Sequence, residues 1–144
     1  MKYMHVFVFF LLFGVILAAC GKKESTSPQG TMLKRESPPS RYADLENSFT
    51  GDGAAIAKGE DLFFRYCTTC HGDEGLGDGP AASSLDPRPE PLATNHKGLT
   101  DAYMFWRISE GGAGAPFNSG MPPWKSALSE EEIWMLITFI RTLK

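Results

Sequence analysis

Cysteine is scarce in this chain of 144 residues, which carries three: Cys20, Cys67 and Cys70. So few thiols, and an odd number of them, supply no disulfide framework. Positive charge is also in short supply. Fourteen Lys and Arg stand against 17 Asp and Glu, a net charge of −3 with a pI near 5.6. That balance removes the electrostatic basis for binding nucleic acid. Long apolar runs are missing apart from one, Val6 to Ala19, and there is no internal repeat. What is left is ordinary globular composition, 42% hydrophobic and 22% charged, with room for one domain. Between Gly51 and Lys144 the formal charge is about −5. This suits a solvated surface, and a basic docking partner is the narrower alternative.

Cys67-Thr68-Thr69-Cys70-His71 dominates what is present. Two thiols three positions apart can each add across one vinyl group of a porphyrin. The imidazole that follows then lies beneath the iron. C-x-x-C-H is the pattern of c-type haem attachment. Zinc is a poorer match, because a tetrahedral site needs four ligands and only His71 and His96 are available to complete the two thiols.

The N-terminus reads as an address. Lys2 precedes the apolar run, which falls short of the roughly 20 residues a spanning helix needs and fits a signal-peptide core. The run ends Leu17-Ala18-Ala19-Cys20, which resembles the lipobox of bacterial lipoproteins. The resemblance implies cleavage after Ala19 and acylation of Cys20, so residues 1–19 are expected to be a lipoprotein signal peptide. An uncleaved short anchor is the alternative. Either way the rest of the chain is expected outside the cytoplasmic membrane, held at its outer face or in the periplasm, with the outer membrane left open. Residues 20–50 are rich in Ser, Pro and charge, and are expected to form a flexible tether. Tyr42, Leu45 and Phe49 break that pattern, and either pack on the domain or a partner or are incidental to a linker.

Residues 51–144 are expected to fold as the haem domain. Ala54 to Tyr66 reads as a helix in which Ile56, Gly59 and Phe63 share a face that leads to Cys67. Gly59 costs about 1 kcal/mol against Ala inside a helix, which suggests another element crossing close by. The Gly- and Pro-rich stretch after His71 reads as loop, long enough to wrap a large cofactor. Thr100 or Asp101 caps a short helix running to about Glu110. Ser129 and Glu132 form a capping box for a last helix, whose apolar stripe is Ile133, Leu136, Ile137 and Ile140. Phe139 is placed to meet the first helix at Gly59.

If His71 takes one axial position of an iron, the opposite one falls to His96, Met104, Met121 or Met135, or to nothing. Met104 and Met135 read as core residues on helices. His96 lies in a polar loop, where an exposed imidazole is expected. Met121 follows a Gly-rich loop and precedes Pro122-Pro123-Trp124, which stiffen the chain just after it. Met121 is therefore the expected sixth ligand.

Taken in order, the Gly59/Phe63 helix, CTTCH, the GDGP stretch (Gly77 to Pro80), MPPW and the terminal helix with its aromatic and following Arg resemble a monohaem class I cytochrome c over Asp52 to Lys144. The resemblance implies an all-α fold, with N- and C-terminal helices crossing and loops enclosing one covalently bound haem c. It implies that Cys67, Cys70, His71 and Met121 hold the haem, with His71 and Met121 on the iron. It also implies that the carbonyl of Pro80 meets the ring N–H of His71. Trp106 and Trp124 would line the pocket or donate to a propionate, and Arg88 would pair with one; plain packing or a solvated charge is the alternative for each. With both axial positions taken there is no open site for substrate, so a one-electron carrier and not an enzyme is expected, with no small-molecule substrate. Its partners would be redox proteins of a respiratory chain, and the lipid at Cys20 would hold it to the membrane. The alternatives are a haem c subunit of a larger respiratory complex (a quinol-oxidising assembly or a terminal oxidase or reductase), or a haem enzyme or gas sensor in which Met121 is displaced.

Overall fold

A computed structural model describes residues 36–144; the expected signal segment, Cys20 and the upstream part of the tether lie outside the described residues. Six helices follow in order: α1 (Ser40–Ala43), α2 (Gly53–Tyr66), α3 (Thr68–His71), α4 (Leu92–Asn95), α5 (Asp101–Glu110) and α6 (Glu130–Ile140). Short 3-10 turns sit at Ala82–Ser84 and His96–Gly98. There is no strand among the described residues, as the all-α expectation requires.

The three long helices begin where their caps lie. Asp52 accepts from the backbone N–H of Ala54 and Ala55 at 2.8 and 3.0 Å, satisfying two donors that α2 cannot satisfy itself. Thr100 does the same for Tyr103 at the start of α5. At α6 the capping box closes in both directions: Glu132 donates its N–H to Ser129 Oγ, and its carboxylate accepts from the N–H of Ser129.

α2 and α6 pack directly on one another, and Gly59 is the point of crossing. A β-carbon there would lie 2.7 Å from the carbonyl carbon of Met135 and 2.9 Å from Cβ of Phe139. The absent side chain is what lets the backbones approach. Phe63, one turn on, is fully buried against Phe139, their rings 5.3 Å apart. Leu62 and Phe63 of α2, Met104, Phe105 and Ile108 of α5, and the expected stripe of α6 form one core. Each such side chain contributes about 1.5–3 kcal/mol by burial.

The packed region starts upstream of Gly51. Tyr42 is buried against Phe105, and its hydroxyl donates to the carboxylate of Glu110. Asn47 donates to Thr138 Oγ1 on α6 at 3.0 Å. Phe49 packs on the core, while Leu45 is exposed. Of the alternatives the sequence leaves open for this segment, packing on the domain is the one adopted by Tyr42 and Phe49.

His96 departs from expectation. It is 3% exposed, with Nε2 3.2 Å from the carbonyl oxygen of Leu143. Arg141, at the end of α6, donates to the carbonyls of His96 and Leu99 and pairs with Asp101 at the start of α5. This clasp closes the polar loop over the imidazole, so its hydrophilic neighbours do not expose it.

Candidate haem site

Residues 67–71 are the junction residue after α2, Cys67, and the single turn of α3. Cys67 ends α2, its N–H bonded to the carbonyl of Phe63, and the N–H of His71 returns to the carbonyl of Cys67 at 2.8 Å. Cys67 thus sits at the joint between the two helices, and Cys70 and His71 on the turn that follows it. Cys67 and Cys70 are both partly buried. Burial, with Cys70 adding, pushes the Cys67 thiol up to about 12.

The following loop doubles back on α3. The N–H of Gly77 bonds to the carbonyl of His71, that of Gly79 to Cys70, and that of Ala81 to Thr69. Gly79 has backbone on every side: a β-carbon would meet the carbonyls of Thr68 and Thr69. This path corrects the expectation for Pro80. The proline follows the carbonyl end of α3 and is exposed. The carbonyl facing the imidazole is that of Glu90, 3.2 Å from His71 Nδ1. Glu90 stands between two prolines and precedes Pro91, which holds it extended and leaves its carbonyl outside any helix. Asn95 of α4 donates to the Glu90 carboxylate and steadies the segment. Burial lowers the His71 pKa, opposed by the bond to Glu90, so the ring favours the neutral form that ligates a metal. With Nδ1 donating to Glu90, Nε2 is the nitrogen that could bind a metal.

The second candidate ligand is held by the turn after α5. The N–H of Gly112 bonds to the carbonyl of Met121 at 2.9 Å, and the N–H of Trp124 to that of Ile108 at 3.0 Å. Gly111 (φ +68°) lies so close to this segment that a β-carbon would sit 2.6 Å from the Met121 carbonyl oxygen. Met121 and Cys67 are both half-buried against the same core. The Tyr66 and Trp124 rings touch, 5.3 Å between centroids, so the flank of CTTCH meets the flank of MPPW. Met104 is a core residue as expected, 4% exposed.

Trp106 packs between Tyr103 and Phe117. Arg88 is exposed and has no ion-pair partner among the described residues. Sequence reasoning missed Glu90, Tyr66 and the pair Arg107–Phe117. The Pro-Glu-Pro spacing was the available signal for the first; the others depend on how loops return to the core.

The donor set suits haem c: two thiols one turn apart, an oriented imidazole, and a thioether at the edge of the same apolar core. No group of three or more His, Cys, Asp or Glu is placed to hold a lone metal ion among the described residues, so the four-ligand zinc alternative is not built there.

Residues 54–140 match the family described as cytochrome c oxidase, cbb3-type, subunit III. The chain is 30% identical over 97 residues to the cbb3-type cytochrome c oxidase subunit FixP of Bradyrhizobium diazoefficiens, a match covering 65% of this chain and 29% of that protein. It therefore spans about three tenths of that relative's length. Among solved structures, it is similar to a chain of the reducing HAO-like protein complex of Kuenenia stuttgartiensis (TM-score 0.54, 26% identity, 69% of this chain and 46% of that one). It is also similar to cytochrome cL of Methylophaga aminisulfidivorans (TM-score 0.51, 27% identity, 67% of this chain and 60% of that one). The fold is that of a class I cytochrome c, and the family implies covalently bound haem c. With CTTCH inside the matched region, this chain belongs to the cytochrome c oxidase, cbb3-type, subunit III family, as a c-type cytochrome electron-transfer domain.

Proposed function

We propose that this chain is a membrane-tethered one-electron carrier with a single haem c, attached through Cys67 and Cys70 and bound axially by His71 and Met121. The observation that carries the reading is the packing of Tyr66 on Trp124, which sets the flank of CTTCH beside the flank of MPPW. The haem, when bound, supplies reversible one-electron exchange at its iron. His71 is held in one tautomer by the Glu90 carbonyl, which strengthens it as a donor. The Met121 thioether is a soft ligand that favours the ferrous state and raises the potential. Apolar residues around it act in the same direction by penalising the ferric charge. With both axial positions filled, substrate has no place to bind, and the chain's role is to hold the cofactor and expose its edge to partners. Acylation of Cys20 would keep that edge near membrane partners and raise its effective concentration there.

A second reading is favoured by the family description and by FixP, named as an oxidase subunit: the chain would work as one haem-bearing part of a respiratory complex. Purification from membranes in mild detergent separates the two. A carrier comes off alone, whereas a subunit co-purifies in fixed ratio with its complex. For the ligand set, the test is the Met121→Ala variant of protein made with a haem-attachment system. The weak far-red band of Met–iron ligation should vanish and the potential should fall; persistence of both would overturn the assignment. Rapid CO binding by the reduced wild type at neutral pH would favour the enzyme or sensor alternative instead.

A further inference from the structure

The segment that leads to Met121 is GGAGAPFNSG, with four glycines in ten residues (Gly111, Gly112, Gly114 and Gly120). Such backbone loses much conformational freedom on ordering, so something must hold its shape. Inside the loop, the N–H of Ser119 bonds to the carbonyl of Gly112 at 2.7 Å, and those of Phe117 and Asn118 bond to Gly114. These ties shape the loop's tip but do not join it to a helix.

One side chain does. Arg107, in the last turn of α5, donates from Nη1 to the carbonyl of Gly111 at 2.7 Å. Its guanidinium carbon lies 3.4 Å from the centre of the Phe117 ring. It therefore grips the loop at its stem and near its tip together. The neighbouring Trp106 meets the same ring edge-on, 5.4 Å between centroids. No carboxylate pairs with Arg107 among the described residues, so the stacked ring and the carbonyl are the partners of a half-buried cation. A cation over an aromatic face is attracted more strongly as it is desolvated. The stem it grips is continuous with the ligand segment, since Gly112 donates to the Met121 carbonyl.

We propose that Arg107 is a positioning residue for Met121: by bonding Gly111 and stacking on Phe117, it buckles the 111–120 loop to α5 and sets how readily the thioether leaves the iron. The inference rests on the reading of Met121 as sixth ligand. Lysine would keep the charge but lose the flat stack and the fixed donor, so it is not equivalent here.

The test compares haem-loaded wild type with Arg107→Met, Phe117→Leu and Phe117→Tyr. Three quantities are followed: the far-red Met–iron band against pH, the rate of CO binding to the reduced protein, and amide exchange at Gly112 and Ser119. Arg107→Met and Phe117→Leu should lose the band at lower pH, bind CO about tenfold faster and exchange those two amides about tenfold faster. Phe117→Tyr, which keeps the ring, should behave as wild type. A general loss of stability would not spare Phe117→Tyr while loosening the ligand in the other two. Unchanged band, CO rate and exchange in Phe117→Leu would overturn the proposal, even if Arg107→Met fails to fold. If wild type itself shows no band, the ligand reading fails; the exchange data then judge the buckle alone, and unchanged exchange would reject it as well.

Discussion

Gly59→Ala adds one methyl group at the crossing of α2 and α6, and two opposite effects compete. Alanine favours helix over glycine by about 1 kcal/mol. Against this, the new carbon would lie 2.7 Å from the Met135 carbonyl carbon and 2.9 Å from Phe139 Cβ, with the Met135 carbonyl oxygen closer still. Two of those three atoms are backbone, so no rotamer change relieves the overlap. Bringing the tightest of these contacts, that to the Met135 carbonyl oxygen, out to about 3.4 Å requires the helices to part by roughly 1.3 Å. A gap of that size forfeits about half or more of each dispersion contact across the seam, and overpacking costs up to about 3 kcal/mol. The net expectation is a loss of about 2 kcal/mol, or about 10 °C in melting temperature for a domain of this size. Thermal unfolding of the haem-loaded protein, followed by circular dichroism, measures it. Gly53→Ala is the control, because a β-carbon there meets nothing within 4 Å at the exposed start of the same helix; it should shift stability by less than about 0.5 kcal/mol. If Gly59→Ala matches that control or melts higher, close helix approach is not what Gly59 provides.

Other expectations follow from the polar clasps. Lys125 and Tyr42, and less strongly Arg41, hold the Glu110 carboxyl at about 2 against an ordinary 4.5. Its contribution is therefore complete above about pH 4.5 and is lost as pH falls toward 2. Because the carboxylate is partly open to solvent, the amount is only about 1 kcal/mol, and Glu110→Gln should flatten that limb of an acid titration of stability. Burial lowers the His96 pKa from its ordinary 6.5, with Arg141 and Lys97 adding repulsion. Stability should then be fully present above pH 6.5 and decline below it, a trend that urea midpoints at neutral and mildly acid pH would show and His96→Gln would remove. Arg141→Met strands Asp101 and two carbonyls, and should cost about 3 kcal/mol in the same urea assay; a change under 0.5 kcal/mol would contradict the clasp.

The helices were legible because their ends are local chemistry. Thr100 and the Ser129–Glu132 box each sit a fixed few residues from the donors they satisfy. The α6 stripe and the crossing at Gly59 were legible from periodicity and from a glycine that makes sense only under contact. CTTCH was legible because attachment chemistry needs its spacing. What failed depends on distant chain. Pro80 and Glu90 both offer carbonyls, and the path of the loop around α3 decides which one reaches the imidazole. His96 has polar neighbours in sequence, yet Arg141, 45 residues on, draws the loop over it. Tyr42 and Asn47 stand in Ser- and Pro-rich surroundings, and their burial is set by Glu110 and Thr138, more than sixty residues away. Arg107 and Phe117 are unremarkable until the glycine loop folds back and brings the ring onto the guanidinium.

Glu110 receives donors from two directions: Arg41 and Tyr42 from the lead-in to the domain, and Lys125 from the stretch just past Trp124. One carboxylate is thus the shared fastening of two otherwise unrelated strips of surface. When it lets go, both strips lose a tie in the same event, leaving Tyr42 and Leu128 in the core to hold them. Isotope labelling of backbone amides should find residues 40–45 and 125–128 opening as one unit, with the same free energy and the same response to acid, while α2 and α6 stay shut. Strain arriving along the lead-in would in this way be felt beside the methionine segment without passing through the helical core.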